Sequence, residues 1–286
     1  MERRNLFIGI GFMLMSVVFF PLKDALAKMT GDYYSPILII WTQFVFTGSV
    51  FLTTLVIRQG LGNIFPKNPV MQIIRSMVVV VGLGSFYWAI QLIPLAEATA
   101  MQFVAPLVAT ALSPLILKEK VGIRRWASVM VGFVGVLIVL RPEFGEGRLG
   151  YLIGLGSGFY LGLFFIMNRK LAADETPVAS IAYSACLGAI MLTPSAASVW
   201  SLPRPEDLFI IVSFLCAALL GQACMFTAFH FSEASVLSPY HFAQIVGATL
   251  FGYLFFNEFP DVTTLFGIAV IIASGIYIAL RGLQTN

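Results

Sequence analysis

The chain has 286 residues, of which 59% are hydrophobic and only 11% charged, with a formal net charge of +3. Soluble domains carry about 25% charged residues, and a water-soluble fold of this length could not cover so much apolar surface. The solvent for most of the chain must be lipid. The basic residues sit in short connections rather than on one continuous face, which argues against a nucleic-acid partner. Cys186, Cys216 and Cys224 lie singly in apolar runs. They have neither CxxC nor metal-ligand spacing, so they are expected to be small buried hydrophobes, with no metal and no cofactor.

Ten apolar runs follow in order: Leu6–Lys28, Pro36–Ile57, Val70–Ile93, Ala96–Leu117, Ile123–Leu140, Leu149–Lys170, Pro177–Val199, Leu208–Phe231, Ala234–Phe256 and Val262–Leu280. Only helices and closed barrels satisfy the backbone in lipid, and runs of this length are helices. Short connections make successive helices antiparallel. The first run, with Arg3, Arg4 and an Ala25-Leu26-Ala27 end, has the shape of a cleaved signal peptide. Against that stands an internal copy. At a shift of 145, Ile8, Gly9, Gly11, Phe19, Phe20, Leu26 and Ala27 meet Ile153, Gly154, Gly156, Phe164, Phe165, Leu171 and Ala172. A segment with a copy is expected to stay in the fold.

The basic residues divide unequally between the two faces. Arg3, Arg4, Arg58, Lys67, Arg75, Lys118, Lys120, Arg124, Arg125, Arg169, Lys170 and Arg281 fall on one, and Lys23, Lys28, Arg141, Arg148 and Arg204 on the other, twelve against five. The richer side is expected to be cytoplasmic, with both termini inside and the protein in the bacterial inner membrane.

The copy continues through the chain. At a shift of 139, Gly82, Ala89, Gln91, Phe103, Ala109, Thr110 and Glu119 meet Gly221, Ala228, His230, Phe242, Ala248, Thr249 and Glu258. At 140, Gly135 and Arg141 meet Gly275 and Arg281. Runs one to five thus match runs six to ten, which sets a first unit at 1–142, a second at 149–286 and a join at 142–148. Five is odd, so the second copy enters the membrane upside down. The expected fold is an all-α integral membrane protein of ten transmembrane helices in two inverted five-helix repeats. Such repeats can rock about a shared midplane site.

Pro106 with Leu117–Glu119 (LKE), and Gly132–Pro142 (GFVGVLIVLRP), recur in the second half as Asn257–Glu258 and Gly267–Leu280 (GIAVIIASGIYIAL). In these residues the chain resembles the EamA-domain family of the drug/metabolite transporter superfamily. The second half departs from the first in placing Ile245 where Pro106 stands, leaving a kink there without its proline. The resemblance implies a ten-helix secondary transporter of a small organic solute. It also implies a cavity lined by helices one, three and four and their partners six, eight and nine.

Polar side chains in mid-membrane are costly and usually face a cavity or a partner. On the ninth run Tyr240, His241, Gln244 and Gly247 share an arc of about 120°. On the third, Gly84, Tyr87, Trp88 and Gln91 share about 100°, and on the eighth, Gln222, Phe226 and His230 share about 80°. The candidate substrate-binding set is Tyr87, Trp88, Gln91, Gln102, Gln222, Phe226, Tyr240, His241 and Gln244. Each arc also has a plainer reading. Trp88 and Gln91 fit an interfacial aromatic belt. The stripe Ala98, Gln102, Ala105, Ala109, Ser113 fits close helix packing, with Gln102 the exception.

Lys23 and Asp24 are the only adjacent opposite charges inside a run. Either Lys23 snorkels to the outer surface and pairs with Asp24, or the two supply a substrate-carboxylate or coupling site, with His230 a further candidate for proton exchange. Glu97, Glu119, Glu233 and Glu258 stand at helix ends, where Glu97 and Glu233 can cap N-termini. The expected partners are a small-molecule substrate and the bilayer, with protons a candidate coupling ion; the sequence leaves ion coupling and oligomeric state open, and is compatible with a monomer. The expected activity is movement of a small amphipathic metabolite, such as an amino acid, across the inner membrane by alternating access. An organic-cation exporter is the alternative. A membrane-embedded enzyme is disfavoured because no HExxH or GxSxG cluster is present; a non-transporting scaffold would use the duplication only for bulk.

Overall fold

In the computed structural model the described residues are 2–31, 33–60, 66–118, 121–140, 148–171, 176–231, 237 and 240–283. Those with regular structure are helical, and no strand occurs among them. In chain order the helices are α1 (Glu2–Thr30), α2 (Pro36–Gln59), α3 (Pro69–Leu92), α4 (Leu95–Gln102), α5 (Ala105–Ile116) and α6 (Ile123–Leu140). After them come α7 (Arg148–Leu171), α8 (Pro177–Ser198), α9 (Leu208–Phe231), α10 (Gln244–Phe256) and α11 (Val262–Leu283), with a 3-10 turn at Pro205–Asp207.

Several helix starts follow one local rule. A short polar residue accepts a hydrogen bond from a first-turn N–H, and proline, pre-set in φ and needing no partner, takes the first helical position. Ser35 accepts from Ile37 N ahead of Pro36 (3.4 Å), Asn68 from Met71 N ahead of Pro69 (3.1 Å), and Thr176 from Ala179 N ahead of Pro177 (3.3 Å). Asp261 does the same for α11 through Thr264 N at 2.8 Å.

Among the described residues seven spans are long and apolar enough to cross a membrane, with α4 and α5 together forming one of them, and Trp126–Val139, Gln244–Phe256 and Val262–Tyr277 are shorter apolar helices. Large apolar side chains such as Phe7, Val18, Met77, Phe133, Ile190, Phe209, Val246 and Phe266 are exposed. That outward-facing apolar surface suits acyl chains and would be untenable in water. Cys224 is buried as expected, but Cys216 is exposed and belongs to this outer surface.

The fourth run is not one helix. It breaks at Phe103–Val104, where the N–H groups bond three residues back, Phe103 to Ala100 O and Val104 to Met101 O. Pro106, second residue of α5, has no N–H to continue the ladder. The ninth run breaks at the corresponding Phe242–Ala243, where Ala243 N bonds Tyr240 O and Ile245 N bonds Phe242 O. The break therefore occurs in the second half without a proline. The two break-point rings touch, Phe103 against Phe242 with centroids 4.9 Å apart. Each half also leaves this helix through a left-handed residue, Lys118 at φ 57° and Asn257 at φ 56°. Asn accepts that conformation more readily than most residues.

The helices pair across the chain: α1 lies along α9, α2 along α8, α3 along α7 and α6 along α11, and α4 meets α10. Small residues permit these approaches, because in lipid close packing rather than water exclusion drives association. Gly154, Gly158 and Gly162 form one stripe of α7 laid against the α4–α5 break, facing Met101, the Met101 carbonyl and the Ala105 carbonyl respectively. Gly135 and Gly267 bring α6 and α11 together, each facing the other's carbonyl.

Candidate functional site

The bundle encloses a cavity of about 850 Å³. Its lining begins at mid-helix positions, Gln43 on α2, Leu83 on α3 and Gln102 at the end of α4, and runs to Leu171 and Pro177, where α7 gives way to α8. It therefore occupies the half of the bundle nearest the starts of α3 and α8 and the ends of α7 and α9. Aromatic residues form much of the wall, including Phe103, Phe164, Phe165, Phe226 and Phe242.

The opposite end is closed by side chains. Lys28 Nζ donates to both carboxylate oxygens of Glu258 (2.6 and 2.8 Å) and to Ile93 O (3.1 Å). Glu258 also accepts from Leu95 N, the first residue of α4, at 3.2 Å. The left-handed turn at Asn257 directs Glu258 back into this position. Glu258 thus caps a helix of the first half from the second half, where its negative charge meets the positive end of α4. Tyr34 Oη donates to Asp207 (2.7 Å), and Arg204 Nε donates to the same carboxylate (2.8 Å). That bond holds the Arg204 guanidinium above its ordinary range. Trp41 meets Trp200 edge-on at 5.7 Å and donates to Thr193 at 3.0 Å.

Five of the nine residues expected to bind substrate line the cavity: Gln102, Gln222, Phe226, His241 and Gln244. His241 sits edge-on to Phe20 (6.4 Å) and Phe103 (6.3 Å). Gln244 is the buried first residue of α10, so both the α4–α5 and the α10 breaks open onto the cavity. The other four stand elsewhere. Trp88 and Tyr240 are 49% and 37% exposed and stand outside the cavity lining, Gln91 is pressed against Gly31, and Tyr87 is fully buried.

Lys23 does not snorkel. It is 7% exposed and Asp24 2%, and the two form an ion pair inside the bundle. Lys23 Nζ also donates to Tyr87 Oη at 3.0 Å, and Tyr87 Oη donates to Gln43 Oε1 at 2.6 Å. Gln43 lines the cavity, so the buried pair connects to it through two side chains. Glu97, in the first turn of α4, accepts from Tyr151 Oη of α7. The side chain of His230, together with Glu119, Glu233 and the join at 142–147, lies outside the described residues.

Several polar cavity groups were not picked out from sequence, among them Arg75, Gln43, Thr47, Ser180 and Ser184. Arg75, grouped there with the basic residues of one face, is 1% exposed within α3 and lines the cavity. Its guanidinium donates to Ser180 Oγ (2.6 Å), Ser180 O (2.8 Å) and Asn168 Oδ1 (3.3 Å). Gln43 shares one face of α2 with Thr47, a short polar arc in an otherwise apolar run. A buried arginine in the third run was the other available signal.

An all-helical bundle with apolar outer faces and a cavity that reaches one end defines a polytopic membrane transporter. The chain belongs to the EamA-like transporter family, whose model matches it twice, over residues 7–141 and 148–280. It is similar to an S-adenosylmethionine uptake transporter of Rickettsia bellii, 28% identical over 95% of this chain and 93% of that one. It is likewise similar to a riboflavin transporter of Vibrio cholerae, 27% identical over 80% and 76% of the two chains. A solved crystal structure shares its fold, with TM-score 0.65, 18% identity and 98% of both chains covered. The protein is thus a transporter rather than an enzyme.

Proposed function

We propose that the protein is a secondary transporter that carries a small amphipathic metabolite across the inner membrane by alternating access, its two inverted five-helix units rocking about the cavity. The observation that carries this is a cavity reaching one end of a bundle whose other end is shut by Lys28, Glu258 and the cap of α4. Support for the repeat comes from the helix pairing. In terms of the ten runs, first lies with eighth, second with seventh, third with sixth, fourth with ninth and fifth with tenth. Exchanging the halves leaves that set unchanged. The matched breaks and the left-handed residues 118 and 257 recur at the same spacing. With the richer basic face inside, the cavity opens to the cytoplasm and both termini lie there.

S-adenosylmethionine is the first substrate to test, as an amino acid that also carries a cationic centre. Aromatic walls favour such a cation, which keeps organic cations as the second class. Counterflow into proteoliposomes preloaded with unlabelled solute, across S-adenosylmethionine, amino acids, riboflavin and organic cations, with and without a pH gradient, should give saturable exchange of one class. Unsaturable leak, or no exchange of any class, would contradict the proposal.

The closed end gives a second expectation. Glu258→Gln removes a charge that accepts from both Lys28 and the α4 N-terminus. Hydrogen bonds to charged groups contribute about 1.5–3 kcal/mol, so the equilibrium should move at least about tenfold toward opening of that end. A cysteine at Ala96, which is 2% exposed, should then react several-fold faster with a membrane-impermeant maleimide. An unchanged rate would remove the pair from the closure.

A further inference from the structure

We infer that the α2–α8 wall of the cavity is a carboxylate subsite, formed by Gln43, Thr47 and Ser184 beside Arg75. The inference rests on the transport proposed above and adds the chemistry of the substrate's polar end.

The first observation is a pair of hydroxyls without partners. Thr47 and Ser184 line the cavity, are 5% and 7% exposed, and neither Oγ makes a hydrogen bond. Hydroxyls in helices ordinarily donate to the carbonyl four residues back. In the same helix Thr42, Ser49 and Thr54 do so, to Leu38, Val45 and Val50 at 2.7–2.8 Å. Thr47 departs from its own helix's habit. A buried hydroxyl left unpaired is destabilising, and a ligand group accepting from it would relieve that.

The second observation is independent and fixes the polarity of the wall. Lysine can only donate, so Tyr87 Oη must accept from Lys23. The single phenolic hydrogen then goes to Gln43 Oε1 at 2.6 Å. With its oxygen occupied, Gln43 has its Nε2 hydrogens left for the cavity. The buried Lys23–Asp24 pair thereby sets the amide of a cavity residue four positions before Thr47, on the same helical face. Ser180, which holds the Arg75 guanidinium, stands four positions before Ser184 on the facing helix. Every one of these groups can donate, and one carries a positive charge. A carboxylate fits such a wall; an ammonium or sulfonium does not, and belongs against the aromatic side of the cavity.

The test compares acids with their decarboxylated counterparts: S-adenosylmethionine with decarboxylated S-adenosylmethionine, and phenylalanine with 2-phenylethylamine. Binding to the purified full-length protein is measured by calorimetry, beside counterflow of the same solutes. At least one acid should bind about tenfold or more tightly than its amine. Thr47→Val and Ser184→Ala should each cut that ratio several-fold. Tyr87→Phe, which frees the Gln43 amide to turn over, should cut it too. Because the two hydroxyls make no bond in the protein, Thr47→Val and Ser184→Ala should leave the unfolding temperature unchanged or raised. A merely structural role would lower it. Equal binding of acid and amine, failure of any acid to bind, or variants that keep the wild-type ratio would overturn the subsite. Saturable counterflow of any solute in those cases would leave the transport proposal standing; its absence would remove both.

Discussion

Replacing Lys23 with methionine should destabilise the protein by about 3–5 kcal/mol, because it leaves the Asp24 carboxylate inside the bundle without its cation. Asp24 is 2% exposed, and its partner also holds Tyr87 in place. Breaking a buried pair from one side costs far more than removing it whole. The double variant Lys23→Met/Asp24→Leu should therefore recover most of the loss, within about 1 kcal/mol of the parent. Unfolding in detergent with all four members of the cycle measures the coupling directly. If Lys23 instead binds substrate without supporting the fold, Lys23→Met would abolish transport while leaving the unfolding transition where it was.

The second large effect is expected at Gly158. A Cβ there would collide with the Met101 carbonyl at the α4 break, and backbone cannot swing aside as a side-chain end can. Overpacking of this kind costs about 1–3 kcal/mol for a modest addition. Gly158→Ala should fall in that range, and Gly158→Leu should exceed it and prevent α7 from seating against α4. Gly156, two positions away on the same helix, has no atom within 4 Å of where its Cβ would stand. Gly156→Ala should be neutral or stabilising by up to about 1 kcal/mol through helix propensity. Equal effects at the two sites would show that α7 does not depend on this close approach.

Much of the fold was legible in the sequence. Hydropathy marked the apolar runs, and three of their starts, at Pro36, Val70 and Pro177, fall within a residue of the helix starts at Pro36, Pro69 and Pro177. The break in the ninth run was not legible, since Ile245 offers no local reason for it. The backbone there mirrors the first copy, with Phe242 against Phe103. Arcs of polar residues located the cavity on the ninth and eighth runs but also pointed to Trp88 and Tyr240, which are exposed and do not line it. The 100° spacing does not carry across the break at Phe242–Ala243, so Tyr240 parts from His241 and Gln244, which line the cavity. For Lys23 the sequence left two readings open, snorkelling to the surface beside Asp24 or a charge site within the bundle; its partners Asp24 and Tyr87 make burial tolerable. Gln43 and Thr47 share α2 with Thr42, Ser49 and Thr54, and Ser184 shares α8 with Thr193 and Ser195, so only their place on the cavity wall distinguishes them.

The most direct test of alternating access is reciprocal labelling. Single cysteines at Ala109, on the cavity wall, and at Ala96, in the closed end, would be placed in a chain stripped of Cys186, Cys216 and Cys224. Each would be reacted with an impermeant maleimide in right-side-out and inside-out vesicles, while external substrate is varied. The account predicts that Ala109→Cys reacts from the cytoplasmic face, and that conditions which raise labelling of Ala96→Cys from the outer face lower it at Ala109→Cys. Labelling of the two positions that never changes in opposite directions would contradict it.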